Sequence, residues 1–198
     1  MAKTAAKVTS AAVLAVFLES TAAISAERPT VVVRVSDYAR LSTEMLTEVQ
    51  AHVAAVYARA GVSLEWVQAS EEPVCAHEGL CVDVLILDAR MTDHVEADPH
   101  AFGRASRDGR RAYVYFPRIL THVMTRGGIT ERALAAVMAH ELGHVLLPEY
   151  SHARTGLMRA RWNGPLTRIP DFTTSQAESI RLEASARRRA LPAADSRP

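Results

Sequence analysis

The chain has 198 residues, of which 48% are apolar and 23% are charged, and its formal net charge is +1. This length and composition indicate one globular domain with a hydrophobic core and exclude a largely disordered chain. The nearly neutral charge gives no reason to expect nucleic acid or an anionic membrane surface as a partner.

The first 26 residues have the layout of a secretory signal peptide. Two lysines precede an apolar run over 8–18, and small residues follow it up to Ala26. A basic start, a short apolar centre and a small-residue cleavage region are typical of exported proteins. The run is too short to span a bilayer. We therefore expect an exported protein, periplasmic or secreted, whose mature domain over 27–198 has no membrane span.

The next part of the chain alternates strands with a helix. A buried strand is predicted over 31–35, and a helix over 43–60 ends before Gly61. Further strands are predicted over 62–67 and 82–87. A strand, a helix and another strand at this spacing predict a parallel crossover unit.

The two cysteines, Cys75 and Cys81, are separated by five residues. In an oxidising compartment this spacing predicts a local disulfide loop. A metal-ligating thiolate and two free buried thiols are the alternative interpretations.

Residues 89–111 are polar and predict a long surface loop. Within this loop we expect a short edge strand formed by Phe102, Gly103, Arg104, Ala105 and Ser106. Other side chains of the loop offer either ligands for a secondary metal ion or an ordinary solvated surface. They are Asp93, His94, Glu96, Asp98 and His100.

The remainder of the chain predicts one more strand and two helices. The strand covers 112–116, and a helix over 131–147 follows two glycines. A last helix is predicted from Ser175, where Ser175-x-x-Glu178 matches a capping box, to about residue 190. The complete order of elements predicts one α/β domain with a twisted sheet over two long helices.

The motif His140-Glu141-Leu142-Gly143-His144 falls within the predicted helix over 131–147. Two histidines four residues apart lie about 40° apart around a helix axis, so their imidazoles can bind a single ion. Glu141 lies on the same side, close enough to contact a water on that ion without being a ligand. This geometry explains the His-Glu-x-x-His motif of zinc hydrolases.

A third ligand is expected, because a catalytic zinc normally has three protein ligands and a water. His152 is the first candidate, since Pro148 ends or bends the helix and lets the chain turn back. Glutamates are alternatives: Glu178 or Glu183, in the manner of the gluzincins, and Glu149. Cys81 is a further alternative, because the segment Glu78-Gly79-Leu80-Cys81 faintly resembles the Glu-Gly-Cys segment of peptide deformylases.

The helical motif, the later His152 and the segment Thr155-Gly156-Leu157-Met158 together resemble the metzincin metalloproteases. The resemblance covers roughly residues 30–190. In that family a tight turn places a methionine beneath the metal. By this resemblance Met158 would form the floor of the site, and Gly143 would permit close packing.

The resemblance also implies a zincin-like α+β fold. Such a fold has a mostly parallel sheet with an antiparallel edge strand, packed on the active-site helix and a second long helix, and it ends in a C-terminal helix. The edge strand receives extended peptide substrate, a part that 102–106 would play here. The chain departs from the family in two places. Leu147 stands where the family has a glycine, and His152 comes two residues later than the usual third histidine.

These observations predict an exported zinc metalloendopeptidase that binds one catalytic Zn²⁺ through His140, His144 and His152. Zinc would activate a water and polarise the scissile carbonyl of a peptide or protein substrate, and Glu141 would be the general base. One alternative is a catalytically silent zinc-bound binding or structural module. Another is a metal-dependent amidase that acts on a non-protein substrate.

Overall fold

A computed structural model of the protein describes residues 28–69, 80–95, 97–147 and 152–190. The predicted signal peptide over 1–26 and Cys75 lie outside these ranges, as do Glu96 and Glu149. Export and the Cys75–Cys81 disulfide therefore stay predictions. Within the described ranges, no helix is both long and apolar enough to cross a membrane.

Five strands form one sheet in the order β2-β1-β3-β5-β4. They are β1 (Thr30–Asp37), β2 (Ser63–Gln68), β3 (Leu80–Leu87), β4 (Gly103–Ala105) and β5 (Arg111–Tyr115). Strands β1, β2, β3 and β5 are parallel, while β4 runs antiparallel to β5 at the edge. The predicted α/β fold with a mostly parallel sheet and an antiparallel edge strand is therefore confirmed.

The central strands are apolar because both of their faces are covered. In β1 the side chains of Val31, Val32 and Val33 are all at most 5% exposed, although neighbours on a strand point to opposite faces. Parallel strands covered on both sides carry such continuous apolar runs. Helix α1 (Thr43–Arg59) begins after Ser42, whose side chain accepts a hydrogen bond from the backbone N–H of Met45.

Helix α4 (Thr130–Leu146) is the central element of the core. Every residue from Ala133 to Leu146 is buried, so the helix is covered all around its axis. It contacts helix α1, the C-terminal helix α5 (Thr174–Ala190) and strands β3, β4 and β5. The predicted active-site helix, second long helix and C-terminal helix are thus present, and α4 has little freedom to move.

Two helices go beyond the sequence prediction. Helix α2 (Ala89–Asp93) lies in the predicted surface loop and is capped by Asp88, which accepts a hydrogen bond from the backbone of Met91. Helix α3 (Phe116–Arg126) follows β5 directly and has a proline in its first turn. Proline fits there because that position needs no backbone N–H donor.

The predicted capping box of the last helix is wrong by two residues. The reciprocal bonds join Thr173 and Gln176 instead of Ser175 and Glu178. The backbone N–H of Thr173 donates to Oε1 of Gln176 at 3.0 Å, and the backbone N–H of Gln176 donates to Oγ1 of Thr173 at 3.4 Å. Both pairs match the Ser/Thr-x-x-Glu/Gln pattern, so the pattern alone did not decide between them.

Candidate metal centre

Three imidazoles from two parts of the chain meet at one point. His140 and His144 lie one turn apart on α4, each 8% exposed, and His152 reaches them from beyond the helix. Nε2 of His144 lies 3.1 Å from Nε2 of His140 and 3.1 Å from Nε2 of His152. Nitrogens about 2.0–2.1 Å from a tetrahedral zinc ion lie roughly 3.3–3.4 Å from one another. The three side chains can therefore hold a metal ion of this kind.

A backbone carbonyl orients the first of these rings. Nδ1 of His140 lies 2.8 Å from the carbonyl oxygen of Leu157. Because a carbonyl can only accept, Nδ1 carries the hydrogen and Nε2 keeps its lone pair. This is the tautomer that a metal ligand needs, and such an outer contact commonly fixes it.

The environment keeps the imidazoles neutral. Burial, which disfavours the charged imidazolium, lowers the pKa of His140 to about 4 and that of His144 to about 3. Burial also lowers the pKa of His152, which is more exposed. Neutral imidazoles offer lone pairs at pH 7 without competition from protons, so the electrostatics favour metal binding.

Glu141 follows the first histidine and lines the same cleft as all three. Its side chain is only 6% exposed, and burial raises the pKa of its carboxyl to about 8. Strand β4 contacts this side chain at Gly103. A Cβ added at Gly103 would lie 2.6 Å from Cγ and 2.8 Å from Cδ of Glu141. The carboxyl is therefore held between α4 and the edge strand.

Met158 packs against the middle of the histidine motif. It is fully buried, and a Cβ added at Gly143 would lie 2.6 Å from its sulfur. Its carbonyl accepts a hydrogen bond from the backbone N–H of Ala153 at 2.7 Å, next to His152. Gly143 therefore packs closely against Met158, because only glycine leaves room for the sulfur.

Leu147, which stands where the metzincins have a glycine, is the residue at which the chain leaves α4. Its backbone is extended, with φ −85° and ψ 136°, and its N–H still donates to the carbonyl of Gly143. Any residue adopts this conformation, whereas a left-handed turn favours glycine. The side chain of Leu147 is 9% exposed and joins the core, so an apolar residue suits the position.

The edge strand predicted over 102–106 lies beside the histidines. Strand β4 is one residue shorter at each end, but hydrogen bonds continue past both ends. The backbone N–H of Tyr115 donates to the carbonyl of Phe102, and that of Ser106 donates to the carbonyl of Arg111. Gly103, Arg104 and Ala105 line the cleft, which has a volume of about 700 Å³. The free edge of the sheet therefore borders the candidate centre.

The alternative ligands that the structure describes lie outside the group of three histidines. Glu178 is exposed on α5, and Glu183 accepts a hydrogen bond from Arg187 at 2.7 Å. Cys81 lies on β3, paired in register with Val32. Among the described residues, the three histidines form the one group of at least three such side chains that can hold a metal ion. The described residues of the 93–100 loop do not form a second group.

The cleft contains residues that no sequence motif indicated. The ring of Trp162 lies 6.1 Å from that of His140 in an edge-to-face arrangement. The guanidinium of Arg159 lies over the indole of Trp162, with its central carbon 5.2 Å from the centre of the ring. Both residues belong to the irregular segment before α5, where neither helical nor strand periodicity could have located them.

Comparison with known proteins found similar solved structures. No protein-family model matches the sequence, and no curated protein is significantly similar to it. The chain is similar to the crystal structure of the archaemetzincin from Methanopyrus kandleri, with a TM-score of 0.48 and 15% sequence identity. The alignment covers 81% of this chain and 98% of the archaemetzincin chain.

Proposed function

We propose that the protein is an exported zinc-dependent metallopeptidase that hydrolyses peptide bonds with Glu141 as its general base. The convergence of three imidazole nitrogens, with a buried carboxyl beside them, carries the proposal. Three imidazoles suit zinc and leave a fourth position for water, as in catalytic zinc sites. When bound, zinc would polarise a carbonyl and lower the pKa of a water molecule to about 7.

Glu141 holds and moves the proton in this mechanism. Its carboxylate accepts a proton from the attacking water and passes it to the departing amine of the substrate. Burial raises the pKa of Glu141 to about 8. A cation nearby favours the ionised carboxylate, so metal binding would return Glu141 to the form that acts as a base.

The edge strand offers a place for an extended peptide. Strand β4 pairs with β5 along one side, and its other side is the edge of the sheet. A peptide that adds to this edge as a further strand would run along the cleft that contains the histidines and Glu141. Main-chain hydrogen bonds would then help to position the scissile bond.

The test compares zinc-loaded protein with its Glu141→Gln variant on a broad pool of internally quenched peptides. We expect the parent to cleave peptides, the variant to bind equal zinc without turnover, and a chelator to abolish cleavage. Glutamine keeps the size of the side chain but cannot accept the proton, so equal zinc content is the internal control. Cleavage that persists in the variant contradicts the role of Glu141.

Absence of cleavage by both proteins would favour two other functions. A zinc-bound binding or structural module would hold the metal with four protein ligands. A metal-dependent amidase would share the mechanism and act on amide bonds outside proteins. Hydrolysis of amide substrates that are not peptides would distinguish these two functions, because only the amidase hydrolyses them.

A further inference from the structure

The cleft beside the three histidines is strongly basic. Four arginines line it, namely Arg104, Arg126, Arg159 and Arg161. The acidic side chains along it are Asp98 and Glu141, although the formal net charge of the whole chain is only +1. Within the described ranges, none of the four guanidinium groups forms an ion pair with a carboxylate. Positive charge is therefore concentrated where substrate would lie.

Arg159 is the arginine most closely tied to the candidate metal centre. Its backbone forms a parallel bridge with Ala153, the residue that follows His152. Its guanidinium lies over the ring of Trp162, whose other neighbour is the ring of His140. The indole N–H of Trp162 donates to the backbone carbonyl of Arg159 at 3.1 Å, which fixes the indole against the backbone of Arg159. These contacts join Arg159 to residues that neighbour His152 and His140.

The guanidinium of Arg159 lines the cleft and has no carboxylate partner in the described part of the chain. Its Nε is inaccessible to solvent and therefore to a substrate, but its two terminal nitrogens are not buried without a partner. A carboxylate is the natural complement of a guanidinium that lines a cleft, because it accepts two parallel hydrogen bonds in one plane.

We infer that the substrate carries a carboxylate close to the scissile bond and that Arg159 binds it. This inference rests on the proposed peptidase function and names the substrate class of the same site. The carboxylate belongs either to an acidic side chain or to the free C-terminus of a peptide, since both have the same chemistry. Arg104, Arg126 and Arg161 add a positive field that attracts such substrates.

The experiment uses three pools of quenched peptides that differ at one fixed central position, which is Glu, Gln or Lys. The flanking positions are random among neutral residues, and each pool is made with a free and with an amidated C-terminus. We expect kcat/KM for the Glu pool to exceed that for the Gln pool by roughly tenfold or more, as for a charge-assisted hydrogen bond. A preference for free over amidated C-termini in the Gln pool would instead identify the terminal carboxylate.

Three variants connect the preference to the arginines. Arg159→Gln should remove the preference for a carboxylate, so that kcat/KM is about equal for peptides with and without it. Arg161→Gln changes an exposed side chain and should reduce it about two- to fivefold. Arg168→Gln removes an exposed charge outside the cleft and should leave it unchanged. Because Arg161 is exposed, its variant keeps the test valid if Arg159→Gln does not fold.

A binding measurement separates this inference from the proposed function. The same pools are titrated into zinc-loaded Glu141→Gln protein, whose affinity does not depend on turnover. Tighter binding of the Glu pool or of free C-termini supports the inference even if the parent cleaves nothing. Equal affinity for Glu, Gln and Lys pools in both terminal forms overturns it, as does a carboxylate preference that Arg159→Gln retains.

Discussion

Gly103→Ala should lower peptide cleavage without removing the metal, because strand β4 and Glu141 touch at this glycine. The added Cβ would lie 2.6 Å from the carbonyl oxygen of Tyr113 and 2.6 Å from Cγ of Glu141. Ordinary contact begins at 3.4 Å, so the new methyl requires a displacement of about 0.8 Å. Tyr113 is paired in the sheet with both Leu85 and Arg104, so its carbonyl is held. The displacement therefore falls on β4 or on Glu141.

The size of the effect follows from this displacement. A misplacement of about 1 Å at a catalytic group can cost roughly 100-fold in rate, and we expect a loss of that order in kcat/KM. The loss should appear mainly in kcat, because a displaced base affects the reaction more than substrate binding. Zinc stoichiometry should stay at the parent value, since none of the closest atoms to the new methyl belongs to a histidine.

The assay measures kcat and KM on quenched peptides, with zinc content determined on the same samples. Gly164→Ala is the matched control, because a Cβ added at Gly164 meets nothing within 4 Å. Urea unfolding of both variants checks that they are folded under assay conditions, since overpacking costs about 1–3 kcal/mol. Full activity of Gly103→Ala would refute the argument that β4 determines the position of Glu141.

Three further substitutions test the surroundings of the site. His152→Ala should weaken zinc affinity by more than about 100-fold. Substituting residues that only contact the ligands already lowers metal affinity by about 10–100-fold, and loss of a ligand should cost more. Competition with a chromophoric chelator measures the affinity. Gly143→Ala should destabilise the fold by about 1–3 kcal/mol in urea unfolding, because the new methyl would overlap the sulfur of Met158. Tyr57→Phe should cost about 0.5–1.5 kcal/mol in the same assay, because the buried hydroxyl donates to the carbonyl of Ala139 at 3.0 Å.

Each of these predictions has a control and a contradicting result. His94→Ala removes an exposed histidine outside the triad, so it should leave zinc affinity unchanged. Equal zinc affinity of His152→Ala and His94→Ala would exclude His152 as a ligand. Gly164→Ala is also the control for Gly143→Ala. Equal urea unfolding midpoints of these two variants would refute the tight contact between Gly143 and Met158. A Tyr57→Phe variant as stable as the parent would mean that the hydroxyl makes no net contribution.

The sequence predicted the parts of the structure that depend on local periodicity. The motif from His140 to His144 lies on a helix, as its spacing requires, and the predicted ends of all five strands differ from the observed ends by at most two residues. Helix α3 was missed although Pro117 and the apolar residues Ile119 and Val123 have the spacing of a helix start. Proline was interpreted there as the end of a strand, an equally common role.

Local spacing predicted only the helical part of the site, whereas His152 and the edge strand over 102–106 were expected from the need for a third ligand and from the metzincin resemblance. The positions of His140, Glu141 and His144 follow from one element, so spacing alone relates them. The contact between Gly103 and Glu141, and the stacking of Arg159 on Trp162, join segments that are far apart in sequence. No periodic pattern connects such segments, because the irregular backbone before α5 is determined by tertiary packing.

A crystal structure of the zinc-loaded protein, with anomalous scattering measured at the zinc edge, would show whether the three histidines bind a catalytic zinc ion. We expect one zinc ion within about 2.1 Å of Nε2 of His140, His144 and His152, with water as the fourth ligand. Zinc bound elsewhere, or a fourth ligand supplied by the protein, would contradict it. Four protein ligands would identify a structural metal site in place of a catalytic one.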